Sequence, residues 1–168
     1  GQLGTIPKVI NVGVGTQTLT NSTASDQDFT SLYTLPANSL FTNKVYRITL
    51  GFEYIAGTST VTMQIYLKLG STKVFANTTS NWTDTLTKGF SGTFLIFGRA
   101  AAGAAANTTT IPIMITDVSS IRSVLNTVNQ PVALATNGTL AITPGVVFSG
   151  TGSTESIELQ TWIVEELN

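Results

Sequence analysis

Cysteine and histidine are both absent from the 168 residues. Without cysteine there is no disulfide framework, no thiolate metal site and no thiol nucleophile, and without histidine the commonest general base is missing. Charge is scarce as well: Asp, Glu, Lys and Arg make up 10% of the chain, against roughly 25% in an ordinary soluble domain. The five lysines and three arginines stand singly and the formal net charge is −1, so neither nucleic acid nor an anionic membrane is expected as a partner. No apolar run approaches the ~20 residues of a membrane helix, and no basic start leads into a signal-peptide core.

Apolar residues supply 42% of the chain, enough for a continuous core at this length, and one domain is expected. With so few charges, the polar surface has to be built from Thr, Ser, Asn and Gln. Threonine is β-branched and suits a pleated, half-wet surface, so the composition leans to strand. A weakly charged surface also offers little colloidal repulsion, which points to a surface covered by partners.

Residues 1–8 read as an extended N-terminal arm, broken by glycine and proline, ahead of a single domain over 9–168. Val9 to Val14 alternates Val9, Asn11 and Gly13 against Ile10, Val12 and Val14 and reads as a first strand; Thr16 to Asp28 reads as polar loop. The clearest period of two runs from Lys44 to Phe75. Tyr46, Ile48, Leu50, Phe52 and Tyr54 share one face, and after a turn at Ala56–Thr58 so do Val61, Met63, Ile65, Leu67 and Leu69. Gly70–Thr72 makes a tight turn, and the whole run is expected to be a three-stranded antiparallel meander with one buried face.

A loop is expected over Thr78–Lys88, a strand from Thr93 to Arg99, a loop over the Ala-rich Ala100–Ala106, a strand near Thr109–Thr116, and strand plus loop over Asp117–Gln130. Asn137–Gly138 and Pro144–Gly145 are turn signals flanking a strand over Thr139–Thr143. In the last strand, Ser156–Leu167, alternation groups Ile157, Leu159, Thr161 and Ile163. About eight to ten short strands without a helix predict an all-β, antiparallel β-sandwich of jelly-roll type.

Chemistry would have to come from nine carboxylates and the hydroxyls. Asp26 and Asp28 could offer a pair of oxygens to Ca²⁺, but no further carboxylates complete a cage, and they read as solvated loop residues. Glu155 with Glu158, or Glu165 with Glu166, could supply the two carboxylates of a glycosidase, a distance the sequence does not show. The Val12–Thr16 segment has two glycines but lacks the lysine and helix of a phosphate loop. No catalytic residue, cofactor or metal site is therefore assigned. Three aromatics are candidates for ligand or partner contact: Trp82 in a polar loop, Trp162 in the last strand and Tyr66 on the face opposite Leu67, with second-layer packing as the plainer reading of Trp162 and Tyr66. Asn-x-Ser/Thr triplets begin at Asn21, Asn77, Asn81, Asn107 and Asn137 and are given little weight as glycan acceptors.

The stretch Tyr33-Thr-Leu-Pro-Ala-Asn-Ser-Leu40, the run Tyr46-Arg-Ile-Thr-Leu-Gly51, Leu67-Lys-Leu-Gly-Ser-Thr72, Phe94–Gly103 and the ending Ile157–Leu167 together resemble a β-sandwich domain of tailed-bacteriophage virion surface proteins. The resemblance rests on turn residues and alternation over most of residues 30–167. It implies a capsid decoration, cement or head-fibre protein on the particle surface, a homotrimer whose partners are the major capsid protein or another virion protein, and no catalytic residues. The alternative in view is a carbohydrate- or receptor-binding module of a phage tail fibre, with a host surface glycan as partner.

Overall fold

The computed structural model describes residues 6–55, 57, 61–77, 80–82, 87–103, 106–117, 121–122, 127–149 and 154–168, with backbone alone at 61, 80–82, 106–117 and 121–122. Among the described residues every regular element is a strand: β1 (Lys8–Thr20), β2 (Gln27–Asp28), β3 (Tyr33–Leu35), β4 (Val45–Ile55), β5 (Val61–Leu69), β6 (Thr72–Ala76), β7 (Ser80–Trp82), β8 (Lys88–Gly98), β9 (Ala106–Asp117), β10 (Ile121–Arg122), β11 (Val132–Leu134), β12 (Leu140–Phe148) and β13 (Ser156–Glu166). One sheet runs β1-β13-β4-β8-β9, with β10 and β11 both on β9; the other places β2 and β3 against β12, then β5, which pairs β6 and β7. All pairings are antiparallel.

If β2 and β3 are taken as one interrupted strand, the chain alternates between sheets. It passes from β1 to β2/β3, to β4, to β5/β6, to β8, then after β9–β11 to β12 and back to β13. The last strand lies between the first and β4, and β12 lies between β2/β3 and β5. This interleaving is the double Greek key of a jelly roll, so the sandwich expected from patterning is the fold observed.

The Lys44–Phe75 run is not one meander. β4 belongs to the first sheet and β5–β6 to the second, and β4 pairs with β13 and β8 rather than with β5. Alternation reports which side of a strand is buried and is silent about which strand lies beside it. Both runs bury the predicted faces because they close the same core from opposite sides: Tyr46, Ile48, Leu50, Phe52 and Tyr54 from one sheet meet Met63, Ile65, Leu67 and Leu69 from the other. Phe75 and Phe94 bring their rings to 4.8 Å across the layers, in a tilted arrangement. Burying each such side chain stabilises the fold by about 1.5–3 kcal/mol. The β5–β6 hairpin forms as expected, with Gly70 at a φ of 59° at its turn.

Three further boundaries differ from expectation. β1 starts at Lys8, inside the anticipated arm, and continues to Thr20 through residues read as loop; its long partner β13 supplies the pairing that sequence polarity could not announce. Pro144–Gly145 lies inside β12 instead of turning the chain. Proline lacks an N–H, but the side of β12 it faces is the gap between β2 and β3, where Pro144 needs only its carbonyl, accepting the Phe29 N–H at 3.0 Å. In β13 the register shifts between Leu159 and Thr161. Ile157 and Leu159 face the core as expected, but the extra residue Gln160 then turns Trp162 and Val164 inward and leaves Thr161 and Ile163 outside.

Candidate functional site

A charged cluster sits on the outer face of the second sheet, around β5. Asp28 Oδ1 and Oδ2 accept hydrogen bonds from Lys68 Nζ at 2.8 and 3.0 Å, and Lys73 Nζ donates to Asp26 Oδ1 at 2.7 Å. Lys68 also lies 3.5 Å from Asp26 Oδ2. Burial alone would raise the Asp26 carboxyl, but Lys73 and Lys68 outweigh it and hold it below the ordinary carboxylate range. The two aspartates are exposed, as expected, but they are not arranged as a calcium cage: their oxygens are engaged by ammonium groups, where a cation would need open oxygen ligands. These side-chain bonds add to the short β2–β12 pairing and to the Phe29 and Leu32 N–H bonds to β12 in fastening the β1–β3 connection to the sheet.

Tyr66 is part of the same cluster. It points away from Leu67, yet it is only 1% exposed, and its ring occupies the space beside Gly145 on the neighbouring strand. A Cβ there would stand 2.4 Å from the ring. Lys73 and Lys68 cover the ring with their ammonium groups 4.4 and 5.0 Å from its centroid. The phenol donates to Asp28 Oδ1 at 2.7 Å; burial, and then this carboxylate, push its pKa far upward.

Trp162 repeats the arrangement in the other sheet. It is paired in register with Gly13 of β1, and a Cβ on Gly13 would fall 1.9 Å from Trp162 Cζ2. The indole is partly buried against the core and donates Nε1–H to Asn11 Oδ1 at 2.8 Å. Each ring therefore covers a glycine on the adjacent strand. Trp82, read as a loop residue, belongs to β7, opposite Val61 of β5; its side chain lies outside the described residues. The structure does not bring the three aromatics together: Trp162 closes the edge of one sheet while Tyr66 and Trp82 belong to the other.

The glutamate pairs separate. Glu155 is fully buried against Gly57, whereas Glu158 lies on the outer face of the first sheet. Glu165 and Glu166 alternate across β13. Glu165 receives a two-pronged bond from Arg47, Nε to Oε2 at 2.5 Å and Nη2 to Oε1 at 2.8 Å, and this bond holds its carboxyl below the ordinary range; Glu166 pairs with Lys44. A pairing invisible in the sequence is that of Glu53 and Glu158, directly opposed on neighbouring strands. Like charges so placed repel, and the Gln160 amide offsets this by donating to Glu53 Oε2 at 3.1 Å and to Glu158 Oε2 at 2.8 Å. Of the Asn-x-Ser/Thr triplets, those at Asn21 and Asn77 start on buried residues and the one at Asn137 on an exposed residue; the side chains of Asn81 and Asn107 lie outside the described residues.

The surface that sequence reasoning missed is the β1 edge. Among the described residues β1 pairs with β13 alone, so its far side is an open strand edge there. Register shifts between Val9 and Asn11 and between Val14 and Gln17 rephase the strand. Val9, expected on the face of Asn11 and Gly13, instead joins Val12 and Val14, lying opposite Glu165, Ile163 and Thr161 on the outer face. Val12 is 59% and Val14 82% exposed, with Ile163 beside them and Ile6 just ahead. No charged residue occurs between Val9 and Thr20. The signal was present in that uncharged run, but its face could be assigned only once the bulges were known.

No family model and no curated protein matches the chain. Among solved structures it is similar to the VP2 subviral particle of infectious bursal disease virus, at 8% identity and a TM-score of 0.34, covering 96% of this chain and 33% of that one. It is also similar to infectious bursal disease virus of the Gx strain, at 10% identity and a TM-score of 0.31, covering 98% of this chain and 42% of that one. The chain thus spans well under half the length of either of those proteins.

Proposed function

We propose that this chain is a non-enzymatic structural protein of a virus particle, a capsid decoration or cement protein or head fibre of a tailed phage, assembled as a homotrimer. The observation that carries the reading is the β1 edge. A long strand, uncharged from Val9 to Thr20, with exposed valines and one side unpaired among the described residues, is a template for further pairing, and stable proteins keep such edges covered, charged or short. Apolar patches rimmed by polar residues mark protein contacts. Jelly rolls serve as capsid and lectin domains, although a fold by itself assigns no function. In the proposed role, burial of Val9, Val12, Val14 and Ile163 at about 25 cal/mol per Å² drives assembly, and repetition over many copies on a particle supplies durability.

Native mass measurement and particle binding, on the wild type and a Val12→Lys/Val14→Lys double variant, test this. The expected result is a trimeric wild type that binds its particle, and a variant that stays folded but monomeric and unbound. A wild type that is monomeric and associates with no virion protein overturns the proposal. Specific binding on a glycan array, lost in Trp82→Ala, would replace it with the receptor-binding reading.

A further inference from the structure

We propose that Asn137 is a site of spontaneous deamidation, converting to aspartate and isoaspartate without an enzyme. In an Asn-Gly sequence the deprotonated backbone nitrogen of glycine attacks the asparagine Cγ. The new N–C bond closes a succinimide as the C–NH₂ bond breaks and ammonia leaves, and water then opens the ring at either carbonyl. The reaction consumes one water and releases one ammonia per site, with no change of oxidation state. It requires solvent, a following N–H free of other bonds, and enough local freedom for that nitrogen to approach Cγ.

The bend between β11 and β12 meets these requirements. Asn137, Gly138 and Thr139 are all exposed, and a Cβ added to Gly138 would meet nothing within 4 Å. Among the described residues no hydrogen bond engages the Asn137 side chain or the Gly138 N–H. The bend is nevertheless held at both ends. Thr136 is buried; its N–H donates to Gly103 O at 2.7 Å and its carbonyl accepts from Asn38 at 2.9 Å. Leu140 is buried in β12. The freedom is thus confined to the reacting pair.

Asn21, Asn38 and Asn43 each lack one or more of these conditions. Asn21 is buried, and the N–H of Ser22 after it donates to Thr20 O at 2.7 Å. After Asn38, the Ser39 N–H donates to Pro36 O at 3.2 Å, and after Asn43 the Lys44 N–H donates to Phe41 O at 2.9 Å. The conversion takes the formal net charge from −1 to −2, one neutral amide becoming one carboxylate, and the isoaspartate product lengthens the backbone between Thr136 and Thr139 by one carbon.

Folded protein aged in mildly alkaline buffer, then mapped by peptide mass spectrometry with enzymatic labelling of isoaspartate, tests the proposal. Conversion at Asn137 is expected to run at least about tenfold faster than at Asn21, Asn38 or Asn43, with a matching acidic species on ion exchange. Gly138→Val should slow it by about the same factor while leaving the unfolding midpoint unchanged. An Asn137 that stays an amide while another of these asparagines converts, or one that converts at the same rate in Gly138→Val, overturns it.

Discussion

At the scale of single residues, two glycines matter through the rings that lie on them. Gly13 and Gly145 face Trp162 and Tyr66 across antiparallel pairs, and in each case the missing Cβ is the space the ring occupies. A glycine weakens a strand by offering nothing to pack, and the cross-strand aromatic makes good that loss. Gly13→Val and Gly145→Val should each lower stability by roughly 1–3 kcal/mol, the cost of overpacking an occupied site, read as a drop in the urea midpoint at unchanged slope. Gly13→Val should also shift tryptophan emission to the red by lifting the indole off β1. An unchanged midpoint in both variants would mean the rings swing away freely and contribute little.

At the scale of the strand, one residue in β13 decides two faces. Gln160 is the extra residue of a bulge, and past it Trp162 and Val164 face the core while Thr161 and Ile163 face out. Deleting Gln160 would reverse that assignment for the rest of the strand, expelling the indole and the buried valine and drawing threonine inward. The expected loss is roughly 3 kcal/mol or more, seen in chemical denaturation, whereas Gln160→Ala keeps the bulge and should cost far less. If the deletion is as mild as the substitution, the bulge does not set the face. β1 shows the opposite economy: Val12 and Val14 are exposed, so lysine at either should change monomer stability by no more than about 0.5 kcal/mol while acting on assembly.

At the scale of the whole molecule, each sheet carries a charge pair on its outer face, Arg47 with Glu165 between β4 and β13 in the first and Lys73 and Lys68 with Asp26 on the second. The carboxyls of Glu165 and Asp26 are both held below their ordinary range in the folded state, by Arg47 and by Lys73 with Lys68. A lowered folded pKa means the unfolded chain binds protons first, so this stability is present above the ordinary carboxylate range and is lost as pH falls through the folded values. The urea midpoint should hold from neutral pH to about 5 and fall below about 4. A Glu165→Gln/Asp26→Asn variant should be slightly weaker at neutral pH and show a shallower acid decline. Equal acid slopes would show that the pairs contribute nothing; Asp26 is 41% exposed, so solvent screens much of its share. Topology sets a further expectation. β1 pairs with β13 and β2 with β12, so the fold closes through partners remote in sequence, and refolding should take milliseconds to seconds rather than microseconds.

The β class, the core-facing side of β4 and β5, the turn at Gly70 and the lack of thiol and imidazole chemistry were legible in the chain, because period-two alternation and residue inventory are local properties. Strand partners were not: β4 and β5 carry the same alternation whether they pair or face each other across the core. Nor were the bulges in β1 and β13, which reverse faces through a single unpaired residue, or the continuation of β12 through Pro144, which depends on a gap in the neighbouring strand. For the same reason the candidate aromatics could be named, but not the glycines they cover, and the uncharged run of β1 could be seen, but not that it forms an open edge. Local pattern determines which residues seek burial; only the assembled sheets decide which of them find it.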